Sequence, residues 1–266
     1  MDQAAQPQRI LVFVPMYRCA PQITRVIGKL ATIAEDPRFA ILCVDNRSPD
    51  DTVAAATAAL AACPVADKFL LLNDNNYGLG GSHKVAFEFA RIHGFDYVLV
   101  LHGDDQGSIF DLLPRIKRGD HLRCDALLGA RFAPGSKLKG YSALRTAANR
   151  VFNAIFSAIT RHRIYDLGSG LNMYRRAIFD EGMHLRFADD LTFNYYLIIA
   201  LVDRKLRVEF FPIEWREDDQ VSNAKLFSQG TLMLRLLSRR MLDREAFLAG
   251  EHRAMPRATY PATLIR

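Results

Sequence analysis

His102, Asp104 and Gln106 stand at i, i+2 and i+4 directly behind the apolar run Tyr97-Val98-Leu99-Val100-Leu101. Such a continuous run is what a fully buried strand of a parallel sheet requires. Alternate side chains of an extended segment point to one side, so an imidazole, a carboxylate and an amide oxygen converge just past the strand. Open α/β sheets bind ligands there, outside the carboxyl ends of the strands. The donor set suits a divalent cation of hard or borderline character, Mn²⁺ or Mg²⁺. Asp and Gly also form helix caps and turns, so this segment alone supports a plain turn equally well.

Three other loops share the arrangement. Pro15-Met16-Tyr17 follows a strand at Ile10 to Val14, and Asp45-Asn46-Arg47-Ser48-Pro49-Asp50-Asp51-Thr52 follows one at Phe39 to Val44. Asn75-Asn76-Tyr77-Gly78-Leu79-Gly80-Gly81-Ser82 follows a third at Phe69 to Leu72. All four loops are expected on one sheet edge. Asp45 is placed to accept hydrogen bonds from a base or ribose. The glycines let backbone approach a ligand, and a helix from Ser82 to His93 offers its N-terminus to negative charge; a tight turn is the plainer reading. A dinucleotide fingerprint belongs after the first strand, and no glycine-rich loop stands there.

Strands must alternate with helices to present these loops, the pattern of a mostly parallel α/β sheet. Helical spacing runs from Ile23 to Ile33, and Asp50 or Asp51 caps an Ala-rich helix ending near Ala62. Tyr97 to Leu101 is the fourth strand and Ala126 to Leu128 a fifth. Further on, the pattern predicts a helix over Arg145 to Thr160, a loop at Gly168-Ser169-Gly170, a buried helix over Leu191 to Leu201 and a strand over Val208 to Ile213. A long basic, amphipathic helix is expected from Phe227 to Leu248. The simplest division is a domain over residues 1–225 and a C-terminal helix and tail over 226–266.

Composition sets outer bounds. The 266 residues are half hydrophobic and 24% charged, with a net charge of +6 that favours an anionic partner. No interleaved aromatic and basic pattern marks a nucleic-acid platform. The four cysteines form no C-x-x-C pair and read as free thiols in a reducing compartment. The N-terminal residues show no signal-peptide core. The apolar run Leu191 to Val202 is too short to span a bilayer, so a cytoplasmic location, peripheral at most on the membrane face, is expected.

Taken together, the motifs resemble those of family 2 glycosyltransferases with the GT-A fold, near the dolichyl-phosphate mannosyltransferase and polyprenyl-phosphate sugar transferase branch. The residues that carry the resemblance are Val14-Pro15-Met16-Tyr17, Val44-Asp45 through Thr52, Asn76-Tyr77-Gly78-Leu79-Gly80, His102-Gly103-Asp104-Asp105-Gln106, Gly129-Ala130-Arg131-Phe132 and Asp166-Leu167-Gly168-Ser169-Gly170. They cover roughly residues 9 to 225 in order. The resemblance implies a nucleotide-sugar donor, UDP- or GDP-linked, with Pro15, Tyr17 and Asp45 lining its pocket and Asn76, Gly78, Gly80 and Gly103 in the same motifs. It puts His102, Asp104 and Gln106 at the D-x-D-x-Q metal positions and Arg131 near the donor and acceptor phosphates. Ser169 falls near the transferred sugar, and Ser222 and Lys225 match a Ser-Lys pair that closes over the diphosphate. Two residues depart from the pattern. Arg18 stands where an acidic residue is usual, and His102 replaces the first aspartate. Histidine is a competent Mn²⁺ ligand, but the lost charge weakens Mg²⁺ binding; equally, His102 can be read as a hydrogen-bond partner outside the coordination sphere, with Asp104 alone holding the metal.

The implied reaction passes through an oxocarbenium-like state and inverts the anomeric centre. A hydroxyl acceptor needs a base, for which Asp189 and Asp190 are candidates, with helix capping as the alternative. A polyprenyl phosphate is already ionised and needs positive charge, which Lys137, Lys139, Arg145 and Arg150 could supply. The C-terminal helix, with Arg235, Arg239, Arg240 and Arg244 among leucines, suits an anionic membrane surface, the domain itself or a second copy of the chain as a homodimer. A nucleotide-sugar-binding protein without catalysis is the competing class, and a nucleotidylyltransferase ranks below it.

Overall fold

The computed structural model describes residues 8–217 and 226–266. In chain order the first half is β1 (Ile10–Met16), α1 (Ala20–Leu30), β2 (Phe39–Asp45), α2 (Thr52–Ala62), β3 (Lys68–Asn73), α3 (Gly78–Ile92) and β4 (Tyr97–Leu101). The second half runs α4 (Leu113–Lys117), β5 (Ala126–Ala130), β6 (Lys137–Lys139), α5 (Ala143–Thr160), β7 (Leu171–Arg175), α6 (Phe193–Asp203), β8 (Val208–Pro212) and β9 (Glu214–Arg216). After α7 (Leu226–Leu242) and α8 (Arg244–Ala249) the described chain ends at β10 (Ala262–Leu264).

Eight strands form one sheet in the order β10-β3-β2-β1-β4-β7-β5-β8, with β6 and β9 paired separately. β1 runs parallel to β2 and β4, in the GT-A arrangement expected from the motifs. Side-chain alternation along β1 divides the core between the two faces. Leu11 and Phe13 pack with α3, α6 and α7 residues, whereas Ile10, Val12 and Val14 pack under α1 and α2. Every residue of β1, β2 and β4 is buried, so the loops at their ends stand on a rigid base.

Several boundaries differ from the sequence expectation, each for a local reason. Helix α3 begins at Gly78, four residues before Ser82, because Gly78 takes φ +72° and starts the turn itself. Helix α6 begins at Phe193, because the Asp190 carboxylate captures the Thr192 amide at 2.8 Å. The long C-terminal helix breaks at Asp243, which adopts an extended backbone and caps α8 by accepting from the Ala246 amide at 2.9 Å. Strand β7 is antiparallel to β4 and β5 and went unread between the two helical patterns.

The C-terminal region is not a helical appendage on this sheet. Met233, Leu236 and Leu237 of α7 and Phe247 of α8 belong to the main core, and β10 pairs antiparallel with β3 as its outer edge. All four cysteines are buried free thiols. Among the described residues no helix is long and apolar enough to cross a membrane.

Candidate active site

Loops after β1, β2, β3 and β4 enclose a cleft of about 340 Å³ at the carboxyl edge of the sheet. Pro15, Tyr17, Asn46, Asn76, Gly78, His102, Gly103 and Asp104 line it, with Leu191 from the segment before α6. Strand register places them. Met16 lies opposite Asp45, and Leu101 lies opposite Leu171, so the His102 amide reaches the Gly170 carbonyl at 2.9 Å. Arg18, Arg47 and Asp105, each non-glycine, take φ of +52°, +62° and +59° in the loops after β1, β2 and β4. Backbone held in this region costs energy and persists where surrounding contacts enforce it.

Past β4 burial alternates, with His102, Asp104 and Gln106 partly exposed and Gly103, Asp105 and Gly107 buried, but the chain turns here instead of staying extended, with Asp105 at φ +59°. The two aspartates have opposite roles. Asp105 is enclosed by Arg25 (2.9 Å), Lys29 (2.5 Å) and Arg216 (3.3 Å), which tie α1 and β9 to the loop. Asp104 forms no ion pair among the described residues and accepts only from the Gln106 amide at 3.2 Å. Burial pushes its carboxyl up to about 6. His102 is held neutral, its basicity pushed down to about 4 by burial and the nearby Arg131 charge, and its buried Nε2 has no hydrogen-bond partner among the described residues.

His102, with an unsatisfied imidazole nitrogen, and Asp104, without an ion pair among the described residues, line one cleft, a donor set that fits a divalent cation. Among the described residues no three His, Cys, Asp or Glu side chains gather to hold a metal by themselves. His102 and Asp104 would therefore leave most coordination positions to ligand oxygens and water. Gln106 does not line the cleft; its backbone carbonyl accepts from Arg216 at 3.0 Å.

Asp45 is fully buried, and its carboxylate accepts from the Ser48 amide (2.9 Å) and hydroxyl (2.6 Å). It shapes the loop, and Asn46 faces the cleft beside it. Asn46 donates to Asn76 Oδ1 at 2.8 Å and accepts from the Tyr77 amide at 2.8 Å and Asn73 at 3.0 Å. Sequence reasoning passed over Asn46, although it follows Asp45 directly in a strand-end motif.

The glycines serve chain packing before ligand approach. A Cβ on Gly78 would lie 2.4 Å from the Asp189 carbonyl, and one on Gly80 would lie 2.4 Å from that of Ala188. Segment 188–190 thus presses on the start of α3. Asp189 accepts from Lys84 Nζ at 2.6 Å, while exposed Asp190 caps Thr192 through the amide and through a 2.5 Å hydroxyl bond. Of the two base candidates, Asp189 is engaged in an ion pair and Asp190 faces solvent.

Arg131 is fixed by a two-pronged pair with Asp166, at 2.7 and 2.8 Å, and donates to the Gly168 carbonyl at 3.1 Å. Asp166, unassigned from sequence, is therefore the residue that orients Arg131. Ser169 is buried and hydrogen-bonds Asn172 at 3.2 Å, so it stabilises the loop and lies outside the cleft lining. Lys139 pairs with Glu214 and Arg145 with Glu217, whereas Lys137 and Arg150 form no ion pair among the described residues. Ser222 and Lys225 lie outside the described residues.

The chain is 26% identical over 175 residues to a polyprenol monophosphomannose synthase of Mycolicibacterium smegmatis, covering 65% of this chain and 64% of the relative. It is 27% identical over 178 residues to an undecaprenyl-phosphate 4-deoxy-4-formamido-L-arabinose transferase of Sodalis glossinidius, covering 66% of this chain and 52% of that one. The match thus spans between about half and two thirds of these relatives' lengths. A glucosyl-3-phosphoglycerate synthase from Mycobacterium tuberculosis, solved with Mn²⁺, uridine diphosphate and glucosyl-3-phosphoglycerate, superposes with a TM-score of 0.58 at 16% identity, covering 89% of this chain and 80% of that one. Residues 11–183, from the first strand past the Asp166 loop, match the family described as Glycosyl transferase family 2, and the chain belongs to that family.

Proposed function

We propose that this chain is an inverting, metal-dependent glycosyltransferase that moves a sugar from a nucleoside-diphosphate donor to a polyprenyl-phosphate acceptor. The observation that carries the donor half is the cleft, lined together by Asp104, which forms no ion pair among the described residues, by His102, whose buried Nε2 has no hydrogen-bond partner among them, and by Asn46 and Asn76. His102 and Asp104 would hold Mn²⁺ or Mg²⁺, which when bound supplies positive charge to the leaving diphosphate. Asn46 and Asn76, locked to each other, offer fixed polar groups to the nucleotide. Arg131, which the Asp166 fork prevents from swinging, presents its charge to the phosphates. Attack on the anomeric carbon from the face opposite the diphosphate inverts its configuration.

A second cavity supports the acceptor half. About 820 Å³ of groove lies between residues 132–136, α5 and residues 161–165, lined by Arg150, Arg161 and Arg163 together with Phe132, Ala154 and Ile164. Cations and apolar side chains in one groove suit an ionised phosphate on a hydrocarbon chain, and the names of both relatives carry polyprenyl-type lipids. The outward face of α7, where Leu234, Met241 and Leu242 are exposed, would provide peripheral contact with a membrane. The alternative is a hydroxyl acceptor with Asp190 as base, favoured by the exposure of Asp190 one residue before cleft-lining Leu191.

Thermal stabilisation by UDP and by GDP, each with and without Mn²⁺, tests the donor site. The expected result is a metal-dependent rise with one nucleotide that Asp104→Ala abolishes. Labelled sugar transfer then separates a polyprenyl phosphate from a hydroxyl acceptor, and binding without transfer to either would leave a non-catalytic nucleotide-sugar protein.

A further inference from the structure

The C-terminal segment reaches the donor cleft from behind. Its Pro261 carbonyl accepts from the Asp74 amide at 3.1 Å and from the Tyr77 hydroxyl at 3.0 Å, and β10 continues along β3 with Ala262 opposite Asn73. Tyr260 is thereby set edge-on to Tyr77, with ring centroids 5.3 Å apart. The Tyr260 hydroxyl donates to Asp189 Oδ1 at 2.7 Å. Lys84 Nζ, from the buried side of α3, donates to the same oxygen at 2.6 Å, to the Phe187 carbonyl at 2.6 Å and to the Tyr260 oxygen at 3.1 Å.

Lys84 has no exposed side-chain surface. A buried ammonium is tolerated only when its donors are matched, so these three oxygens form a unit. That unit fixes Asp189, whose carbonyl accepts from the Gly81 amide at 3.2 Å and seats on the Gly78 turn. Gly78 and Leu191, on either side of this contact, line the cleft. Within these tail contacts the Tyr260 hydroxyl is the one that holds Asp189, and through it the cleft rim.

We propose that Tyr260 is a positioning residue for donor binding, holding Asp189 and with it the 188–191 rim against the Gly78 turn. This assignment rests on the reading of the cleft as a nucleotide site. It gives the C-terminal tail, which no motif marks, a part in substrate affinity.

Tyr260→Phe keeps the ring packing and removes only the hydroxyl. Titration calorimetry of wild type and variant with the stabilising nucleotide and Mn²⁺ is expected to show roughly tenfold weaker binding, about 1.4 kcal/mol. In steady state the donor KM should rise more than kcat falls. Asp189→Asn and the double variant complete a cycle, in which the two substitutions together should weaken binding no more than the worse one alone. A lowered Tm with unchanged nucleotide affinity would make Tyr260 merely structural and overturn the assignment. So would additive losses in the double variant. Wild-type protein that binds neither nucleotide removes the reading of the cleft and this assignment with it.

Discussion

The imidazole of His102 lies against Gly170 so closely that a Cβ on the glycine would sit 2.7 Å from the ring, while the His102 amide donates to the Gly170 carbonyl at 2.9 Å. The loop after Asp166 therefore sets the angle at which His102 faces the cleft. Gly170→Ala should displace the imidazole and weaken Mn²⁺-dependent nucleotide binding about tenfold or more, with about 1–3 kcal/mol lost from stability by overpacking. Calorimetric binding together with denaturant unfolding measures both.

Adjacent aspartates should separate cleanly. Asp104→Ala removes a carboxylate that forms no ion pair among the described residues, so Tm at pH 7.5 should stay at or above wild type while nucleotide binding is lost. Asp105→Ala leaves three cations without their shared partner and should cost about 2 kcal/mol, less than a fully buried pair because the cations reach solvent. A thermal scan of the two variants side by side is enough; equal loss of stability would refute the division of roles.

His102→Asp restores a second negative charge. Harder oxygen ligands favour Mg²⁺, so the ratio of nucleotide affinities in Mg²⁺ and Mn²⁺ should move toward Mg²⁺ by about tenfold. An unchanged ratio would place His102 outside the coordination sphere.

Acid should unfold the protein partly through His184. It packs against Phe87 and Phe179, with ring centroids 5.5 and 5.0 Å away, and its buried Nδ1 has no hydrogen-bond partner among the described residues. Burial, helped by the Lys84 charge and opposed by Glu88, pushes its basicity down to about 3. The unfolded chain takes up this proton near pH 6.5 and the folded chain does not, so stability is present above 6.5 and falls as pH drops. The slope is about 1.4 kcal/mol per pH unit from this group, ending near pH 3. His184→Phe should flatten urea-unfolding stability between pH 6.5 and 4.5 relative to wild type.

Arg131→Lys should behave as a severe change. A lysine cannot reproduce the Asp166 fork, so transfer should fall about a hundredfold while nucleotide affinity changes less. Initial-rate kinetics at saturating donor give the comparison.

Much of the site was legible because chemistry and strand ends coincide in the sequence. Continuous apolar runs placed β1, β2 and β4, and a period of two past Leu101 put His102 and Asp104 on one side of the backbone. Local pattern singled out Asp104 by its spacing but could not show that Asp105 is held in ion pairs, since the cations that claim it come from α1 and β9. Nor could it divide Asp45 from Asn46, because which of them faces the cleft depends on the Ser48 turn. Lys139 and Arg145 read as free charges until the fold supplied Glu214 and Glu217 as partners.

The sequence by itself determined the α/β layout, the sheet edge at which the cleft opens and the residue types available there, because these follow from hydrophobic period and strand-end loops. Only the tertiary structure decided which carboxylate stays unpaired, what the Gly78 and Gly80 turn packs against, and that the tail returns to Asp189 through Tyr260. Those outcomes depend on contacts between residues as far apart as Lys84, Asp189 and Tyr260, and a periodicity read along the chain carries no information about which distant segments meet.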